Sequence, residues 1–534
     1  MRLLRDLRMY ARFALGYPAF LRFRITPEQA RAELRQRLTR RSESFLGLVE
    51  KGVFGHPGSP YRRLFGLAGC ELGDLRQAVR SQGLEPALLG LRKAGVYVSY
   101  EEFKGRVPIV RGGVEIPVRS RDFDNPFLSA AYAKTSGGTT GAGTRVMTDL
   151  DNLRAKAALQ LLVDEAHGLL SLPLGLWRGG LPDVGLGATF SRIGYGKIPD
   201  RWFTPVTDGE LRPSLEYRLA TEYVLRMGRL CGVPIPRPEP VPVERAGIVA
   251  RWVAETLKTH GGCNLRAYVS LLTRVSVAAQ EEGLDLTGAV FGGGGEPPTP
   301  AKVRQITRSG ARYLPSYSIT EFGRVGVACL QQAEVNDLHF REDHLAVIQH
   351  PRPVPGTRLE VDAFLFSTLL PSAPKLAVNV ESDDYGVVEE RDCGCPLHAL
   401  GLRRHIRAIR SFRKLTAEGV TLIGTDMLRV LEEVLPSRFG GNPTDYQLME
   451  EEDEHGLTRL SLLISPRVRL NDEGEVLAAV FDGLRSPSPA SDLARATWRA
   501  AGSLRIRREE PIWTARGKLM PLHLPRFSRT SLPQ

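Results

Sequence analysis

Cysteine is scarce in this chain, with six residues in 534, at positions 70, 231, 263, 329, 393 and 395. Thiols so few exclude a disulfide-stapled scaffold and set a reducing, cytoplasmic compartment as the expectation. Long apolar runs are absent as well. Near the start, Arg2, Arg5, Arg8 and Arg12 interrupt Leu3, Leu4, Leu7, Phe13 and Leu15. Neither a signal-peptide core nor a span of about 20 apolar residues is therefore expected there. The same stretch reads as an amphipathic basic helix, which either makes peripheral contact with an anionic membrane or, the simpler requirement, packs on its own domain. Zinc-finger spacing and basic repeats interleaved with aromatics are missing, which argues against nucleic acid as a partner.

Length, by contrast, is plentiful: 534 residues exceed one ordinary core, so two or more domains are expected. Hydrophobic residues at 42% and charged residues at 25% are ordinary for a globular protein. Lys and Arg outnumber Asp and Glu by 72 to 60, a formal charge of +12. That balance suits an anionic partner such as a nucleotide, coenzyme A, an acidic carrier protein or an anionic membrane, without choosing among them.

The densest local signal is Thr135-Ser136-Gly137-Gly138-Thr139-Thr140-Gly141-Ala142-Gly143-Thr144-Arg145. Glycines let the backbone take positive φ and approach a ligand closely, while hydroxyls and successive N–H groups can wrap anionic oxygens. This is phosphate-binding chemistry, with a flexible linker of the same composition as the competing reading. A Walker loop requires Gly-Lys-Ser/Thr, and no lysine follows Gly141 or Gly143; the G-x-G-x-x-G spacing of a dinucleotide site is missing too.

Around this loop the periodicity predicts helices from Thr26 to Leu91 with a break at residues 55–58, short extended pieces from Tyr97 to Val118, and a helix after an N-cap at Asp149 or Asp151. The segment from Pro173 to Pro242 carries Trp177, Phe190, Tyr195, Trp202 and Phe203, which either shape a pocket or fill a satellite core. Beyond Glu244 helices alternate with apolar strands at Leu265–Val269 and Ala289–Phe291, which predicts a largely parallel, covered sheet. The last hundred residues predict strands at Tyr446–Leu448 and Leu460–Ile464 and a helix from Glu475 to Leu484.

Two further motifs follow the loop. Ala289-Val290-Phe291 runs into Gly292-Gly293-Gly294-Gly295-Glu296-Pro297-Pro298, an apolar strand whose glycine end presents bare backbone to a flat ligand. Next comes Tyr317-Ser318-Ile319-Thr320-Glu321, in which an aromatic face, a hydroxyl and a carboxylate could stack on a base, bond a phosphate and hold Mg²⁺. Taken singly, each has a blander reading as a turn. Taken together and in this order, the three resemble the signature of the adenylate-forming superfamily of acyl-CoA synthetases and adenylation domains.

Within that superfamily the chain most resembles phenylacetate-CoA ligases and acyl-protein synthetases, through Leu338-His339-Phe340-Arg341-Glu342-Asp343 and Asn379-Val380-Glu381-Ser382-Asp383. Glu381-Ser382 replaces the usual Thr-Gly, and Asp384 leaves the register open by one. The resemblance implies that Thr135, Ser136, Gly137, Gly138, Thr139, Thr140 and Gly141 cradle the phosphates of ATP. It places Gly295, Glu296, Pro297 and Tyr317 beside adenine and Asp383 on the ribose. Thr320 would bind the α-phosphate, and Glu321 would hold Mg²⁺. Arg410 falls on the arginine of the hinge motif, whose aspartates are replaced by Phe412, Arg413 and Lys414. Thr514-Ala515-Arg516-Gly517-Lys518 is similar to the closing motif, whose lysine acts in adenylation.

Cys393-Gly394-Cys395 can clasp a metal, and Cys329 with His339 would complete a structural zinc site; reduced thiols without metal are the alternative. The resemblance implies an α/β fold divided into an N-terminal helical region (1–96), a large α/β domain (97–408) and a small hinged α+β domain (409–534). The expected activity is ATP-dependent conversion of an aryl or fatty carboxylate to an acyl adenylate and transfer to a thiol, with coenzyme A as acceptor. A carrier protein, an acyl-protein acceptor, an amine or alcohol acceptor, and a non-catalytic nucleotide-binding relative are the alternatives.

Overall fold

A computed structural model describes residues 2–128, 131–135, 145–179, 185–205, 215–353, 360–411, 416–417, 420–421, 427–452, 458–483, 504–514 and 517–523. Among these, twelve strands form one sheet: β1 (Leu174–Trp177), β2 (Arg201–Thr204), β3 (Glu239–Pro240), β4 (Cys263–Tyr268), β5 (Ala289–Gly294), β6 (Arg312–Ile319), β7 (Gly323–Ala328), β8 (Leu338–Phe340), β9 (Leu345–Pro353), β10 (Glu360–Thr368), β11 (Val380–Glu390) and β12 (Arg404–Ser411). Their order is β9-β10-β11-β12-β8-β7-β6-β5-β4-β1-β2-β3.

From β3 to β6 every neighbouring pair is parallel; from β6 to β9 every pair is antiparallel. The expectation of a largely parallel sheet thus holds for half of it. The parallel half is made of short apolar runs linked by helices, and β1 and β5 are buried throughout, as covered parallel strands demand. The antiparallel half comes from longer strands joined by turns, a pattern that strand-helix alternation does not reveal.

Helices cover both faces of the parallel half. On one face Ala246–His260 and Val269–Glu281 pack their apolar sides against Leu265, Ala267, Phe291 and Tyr313. On the other lies Leu150–Ala166, whose N-cap is Asp149; its carboxylate accepts from the Asn152 backbone N–H at 2.7 Å. That helix ends at Ala166, short of the expected Leu172.

The N-terminal helix Arg2–Arg22 buries Phe13, Tyr17, Phe20 and Leu21 against Leu150, Leu153 and Phe190, so this part of its apolar side is used up within the fold rather than offered to a membrane. No helix among the described residues is long and apolar enough to cross a membrane. Trp177, Phe190, Trp202 and Phe203 are fully buried core residues, which settles the choice between pocket and core for these four.

β12 runs to Ser411, so residues 409–411 still belong to the large sheet; 412–415 and 418–419, within the expected hinge, lie outside the described residues. The small unit from Met427 onward has a four-stranded sheet, ordered Leu504–Arg507, Thr458–Ile464, Tyr446–Glu452 and Leu522–His523, with helix Glu473–Gly483 packed on it. A buried ion pair joins it to the large unit: Lys302 Nζ and Glu432 Oε1 are 2.9 Å apart.

Candidate active site

Side chains alternate along a strand, and residues paired in parallel strands share a face. Tyr268, Gly294 and Ser316 form one row across β4, β5 and β6; Arg266, Gly292 and Leu314 form the row below it on the same face. Gly292 and Gly294 line a hollow between this face and helix Leu150–Ala166; the Arg266 and Ser316 side chains occupy the space that a Cβ at each would take. A cavity of about 200 Å³ occupies it, at the carboxyl ends of the parallel strands. Such strand ends are where open α/β sheets hold ligands.

Among the described residues, the small unit reaches this cavity through one side chain. Lys518 lines it, donates to the Gly295 carbonyl oxygen at 2.9 Å, and lies 4.7 Å from the centroid of the Tyr268 ring. Gly517 has φ +74° and Gly295 φ +80°, conformations that side chains resist. A Cβ on Gly295 would come within 2.9 Å of Tyr268 and 3.3 Å of the Lys518 amine. Ser316, Ser318, Ile319 and Thr320 line the same cavity.

The other residues singled out by the sequence have more particular placements. Glu296 turns away from the cavity, where its carboxylate accepts from the Ser270 hydroxyl and, at 3.2 Å, from the Ser270 backbone N–H at the start of helix Val269–Glu281. Burial raises its pKa, against the pull of Lys302 and Ser270. Pro297 follows, half-buried.

Tyr317 points away from the cavity-lining serines at 316 and 318, and its hydroxyl donates to Asp384 Oδ2 at 2.7 Å. Asp383 accepts from the Ser411 hydroxyl at 3.3 Å. The aspartate pair thus meets both the Tyr317 motif and the end of β12. Arg410, on β12, is exposed and paired in register with Tyr385. Glu321 is buried and ion-paired with Lys104. Of the phosphate loop, Thr135 ends a strand (Ala131–Thr135) paired with Arg145–Asp149; Ser136, Gly137, Gly138, Thr139, Thr140 and Gly141 lie outside the described residues.

The deep end of the cavity holds groups that sequence reasoning missed. Arg178, Arg192, Arg266, Arg324 and Arg341 line it together with Lys156. Asp164, set behind them on helix Leu150–Ala166, accepts from Arg192 Nε at 2.9 Å and from the Tyr195 hydroxyl at 2.6 Å, and lies 3.5 Å from Arg266 Nη2. Burial opposes its ionisation, but Arg192 and Arg266 hold its pKa below the ordinary carboxylate value. Burial and neighbouring guanidiniums lower Arg266 to about 10 and Arg324 to about 9. Arginines scattered between positions 178 and 341 carry no common motif; only the excess of Lys and Arg in the charge balance hinted at them.

A second cluster lies away from the cavity, at the end of β7, on β8 and β12, and on the Cys393–Cys395 turn. Ligand atoms of Cys329, His339, Cys393 and His405 all lie within 4.8 Å of one another. Cys395 Sγ is 3.0 Å from His339 Nε2, so all four expected residues meet, with His405 as an addition. Register explains it: His339 on β8 pairs with His405 on β12. His339 Nδ1 donates to the Leu402 carbonyl at 2.9 Å, and His405 Nδ1 lies 2.7 Å from Asp337 Oδ1, leaving both Nε2 atoms turned to the thiols. His405 Nε2 is buried with no hydrogen-bond partner, so soft and imidazole donors with an orphaned nitrogen fit a zinc ion.

No protein-family model matches the chain, and no curated protein matches it in sequence. Solved structures do. A 2-hydroxyisobutyryl-CoA ligase in the postadenylation state is similar over 92% of this chain and 89% of its own, at 14% identity and a TM-score of 0.50. An anthranilate CoA ligase in complex with anthranoyl-AMP aligns over 86% and 79%, at 13% identity and TM-score 0.41. An amide bond synthetase from Marinactinospora thermotolerans aligns over 95% and 98%, at 14% identity and TM-score 0.39. From the N-terminal helices through the parallel sheet to the small unit carrying Lys518, this chain has the fold of an adenylate-forming enzyme.

Proposed function

We propose that the protein activates a carboxylic acid with ATP, forming an acyl adenylate and pyrophosphate, and then passes the acyl group to a thiol, with coenzyme A as the acceptor. The observation that carries this reading is Lys518 of the small unit, placed in the cavity against Gly295. In the first step a carboxylate oxygen attacks the α-phosphorus and the bond to the pyrophosphate oxygen breaks. Negative charge grows on the bridging oxygens, and a cation with a mobile stem, preset at that point, stabilises it.

Thr320 and Ser318 line the same cavity with hydroxyl donors, and Gly294 and Gly295 present bare backbone to a flat base. Glu321 would be the carboxylate for Mg²⁺, which when bound would replace Lys104 as its counter-charge and neutralise phosphate charge. In the second step the thiol sulfur attacks the acyl carbon and the carbon–oxygen bond to AMP breaks, leaving a thioester. Rotation of the small unit between the two steps would let one cavity serve both.

A structural zinc ion on Cys329, Cys393, Cys395 and His339, with His405 beside them, would tie β7, β8 and β12 together.

Carboxylate-dependent ATP–pyrophosphate exchange, with Mg²⁺ and a mixed panel of aryl, short-chain and long-chain acids, tests the reading. Exchange with any acid establishes adenylation. Folded protein that binds ATP yet exchanges with none of them would leave the non-catalytic, nucleotide-binding alternative. Release of AMP with coenzyme A, set against a carrier protein and against amine or alcohol acceptors, then identifies the acceptor.

A further inference from the structure

The cavity wall is electrically lopsided. Lys156, Arg178, Arg192, Arg266, Arg324 and Arg341 line it, and among the described residues no carboxylate does. Behind the wall, Asp343 answers Arg341 at 2.5 Å. Arg192 and Arg266 must share Asp164, and Arg324 has only the neutral amide of Gln160. Arg178 Nη2 spends itself on the Ala267 carbonyl at 2.9 Å. Buried Arg266 Nη2 makes no hydrogen bond at all. Three guanidiniums around one carboxylate in a desolvated floor are unfavourable unless something anionic joins them.

Bound nucleotide does not account for this floor. The phosphate-handling groups, Lys518, Thr320 and the Gly294–Gly295 turn, sit at the carboxyl ends of the strands. Arg266 is two residues further down β4, about 6.6 Å deeper at ordinary strand rise. It lies across Gly292, where a Cβ would collide with the guanidinium. Gly292 therefore houses the arginine.

We infer that the acid taken by this cavity carries a second anionic group, a distal carboxylate, phosphonate or sulfonate, which docks between Arg266 and Arg324 while the first carboxylate stays at the Lys518 end. This rests on the adenylation reading and replaces the plain aryl or fatty acid with a dianionic one. Lys156 and Gln160, on the helix facing the floor, stand where the middle of such a molecule passes.

The test compares matched acids in pyrophosphate exchange: glutarate against valerate, adipate against hexanoate, and terephthalate against benzoate. Dianions should show at least tenfold higher kcat/KM than their partners. Arg324→Met should abolish that preference with the KM for ATP unchanged, and Arg324→Lys should restore part of it. Because the partner of Arg324 is neutral, Arg324→Met strands no charge. Its Tm without ligand should equal or exceed that of the wild type, which separates loss of binding from misfolding.

Equal or better use of the monoacids, or an effect of Arg324→Met on ATP alone, would overturn the inference and leave adenylation standing. If no acid supports exchange, thermal shift with the same dianions decides. Protection of the wild type but not of Arg324→Met retains the anion site without adenylation, and no protection removes both.

Discussion

Lys518 Nζ lies 2.9 Å from the carbonyl oxygen of Gly295, so a residue of the small unit completes a cavity whose wall includes a strand end 223 residues earlier. The contact spans two units. It places a mobile cation at the end of β5, beside the row formed by Tyr268, Gly294 and Ser316.

Lys518→Ala should lower the rate of acyl-adenylate formation roughly 100- to 1,000-fold, the usual effect of removing one preset charge-stabilising group. Thioester formation from preformed acyl adenylate should be spared. Equal loss in both half-reactions, measured by pyrophosphate exchange and by AMP release on adding thiol to preformed acyl adenylate, would refute the role given to this lysine.

Gly295→Ala adds a Cβ at φ +80°, against Tyr268 and the Lys518 amine. The strain should cost about 1 kcal/mol or more of stability. Displacing Lys518 should also reduce exchange beyond what that stability loss explains. Urea melts beside exchange rates at saturating ATP would show whether both effects occur.

One zinc ion per chain is expected by elemental analysis of purified protein. Cys393→Ser and His405→Ala should each reduce occupancy, and chelation should lower the Tm without the variants showing any change in ATP affinity. Metal-free protein with an unaltered Tm would establish the thiols as simply reduced.

Glu432→Ala removes the ion-pair partner of the buried Lys302 ammonium, leaving only the more distant charge of Glu296 among the described residues. Breaking such a pair from one side costs about 3–5 kcal/mol, whereas replacing both partners by apolar side chains of similar size is often neutral. Denaturant unfolding of Glu432→Ala beside a Lys302→Met, Glu432→Leu double variant measures the difference. Similar midpoints for the two would show that the pair contributes little.

His344 is buried, and burial together with the charge of Arg341 lowers its pKa to about 4, below the ordinary 6.5. Folding therefore favours the neutral ring, and the unfolded chain takes up the proton first. The contribution is fully present above pH 6.5 and is lost as pH falls toward 4, at up to about 1.4 kcal/mol per unit. His344→Gln should flatten stability across that window; an unchanged slope would assign the dependence to other groups.

The three motifs that announced an adenylate-forming enzyme were legible because each is local. Asp149 could be read as an N-cap from its place before a periodic run, and the strand at Ala289 from its apolar content. Gly295 and Lys518 were legible as motif members, and Cys329, His339, Cys393 and Cys395 as a cluster from residue chemistry and spacing. Other features depended on which strands became neighbours. His405 joined the thiol cluster through the pairing of β8 with β12, and Glu321 met Lys104 across the fold.

The sequence by itself determined that helices and short buried strands alternate, and that hydroxyls, glycines and a terminal lysine occur in an order suited to phosphate chemistry. Periodicity, capping and turn residues act over a few positions, which is the range a sequence displays. Only the tertiary structure decided that half the sheet is antiparallel, that Trp177 and Trp202 are core, and that arginines 192, 266 and 324 converge on one cavity around Asp164. Convergence of that kind is set by packing at long range. The balance of charge in a desolvated site depends on distances between side chains that the linear order does not contain.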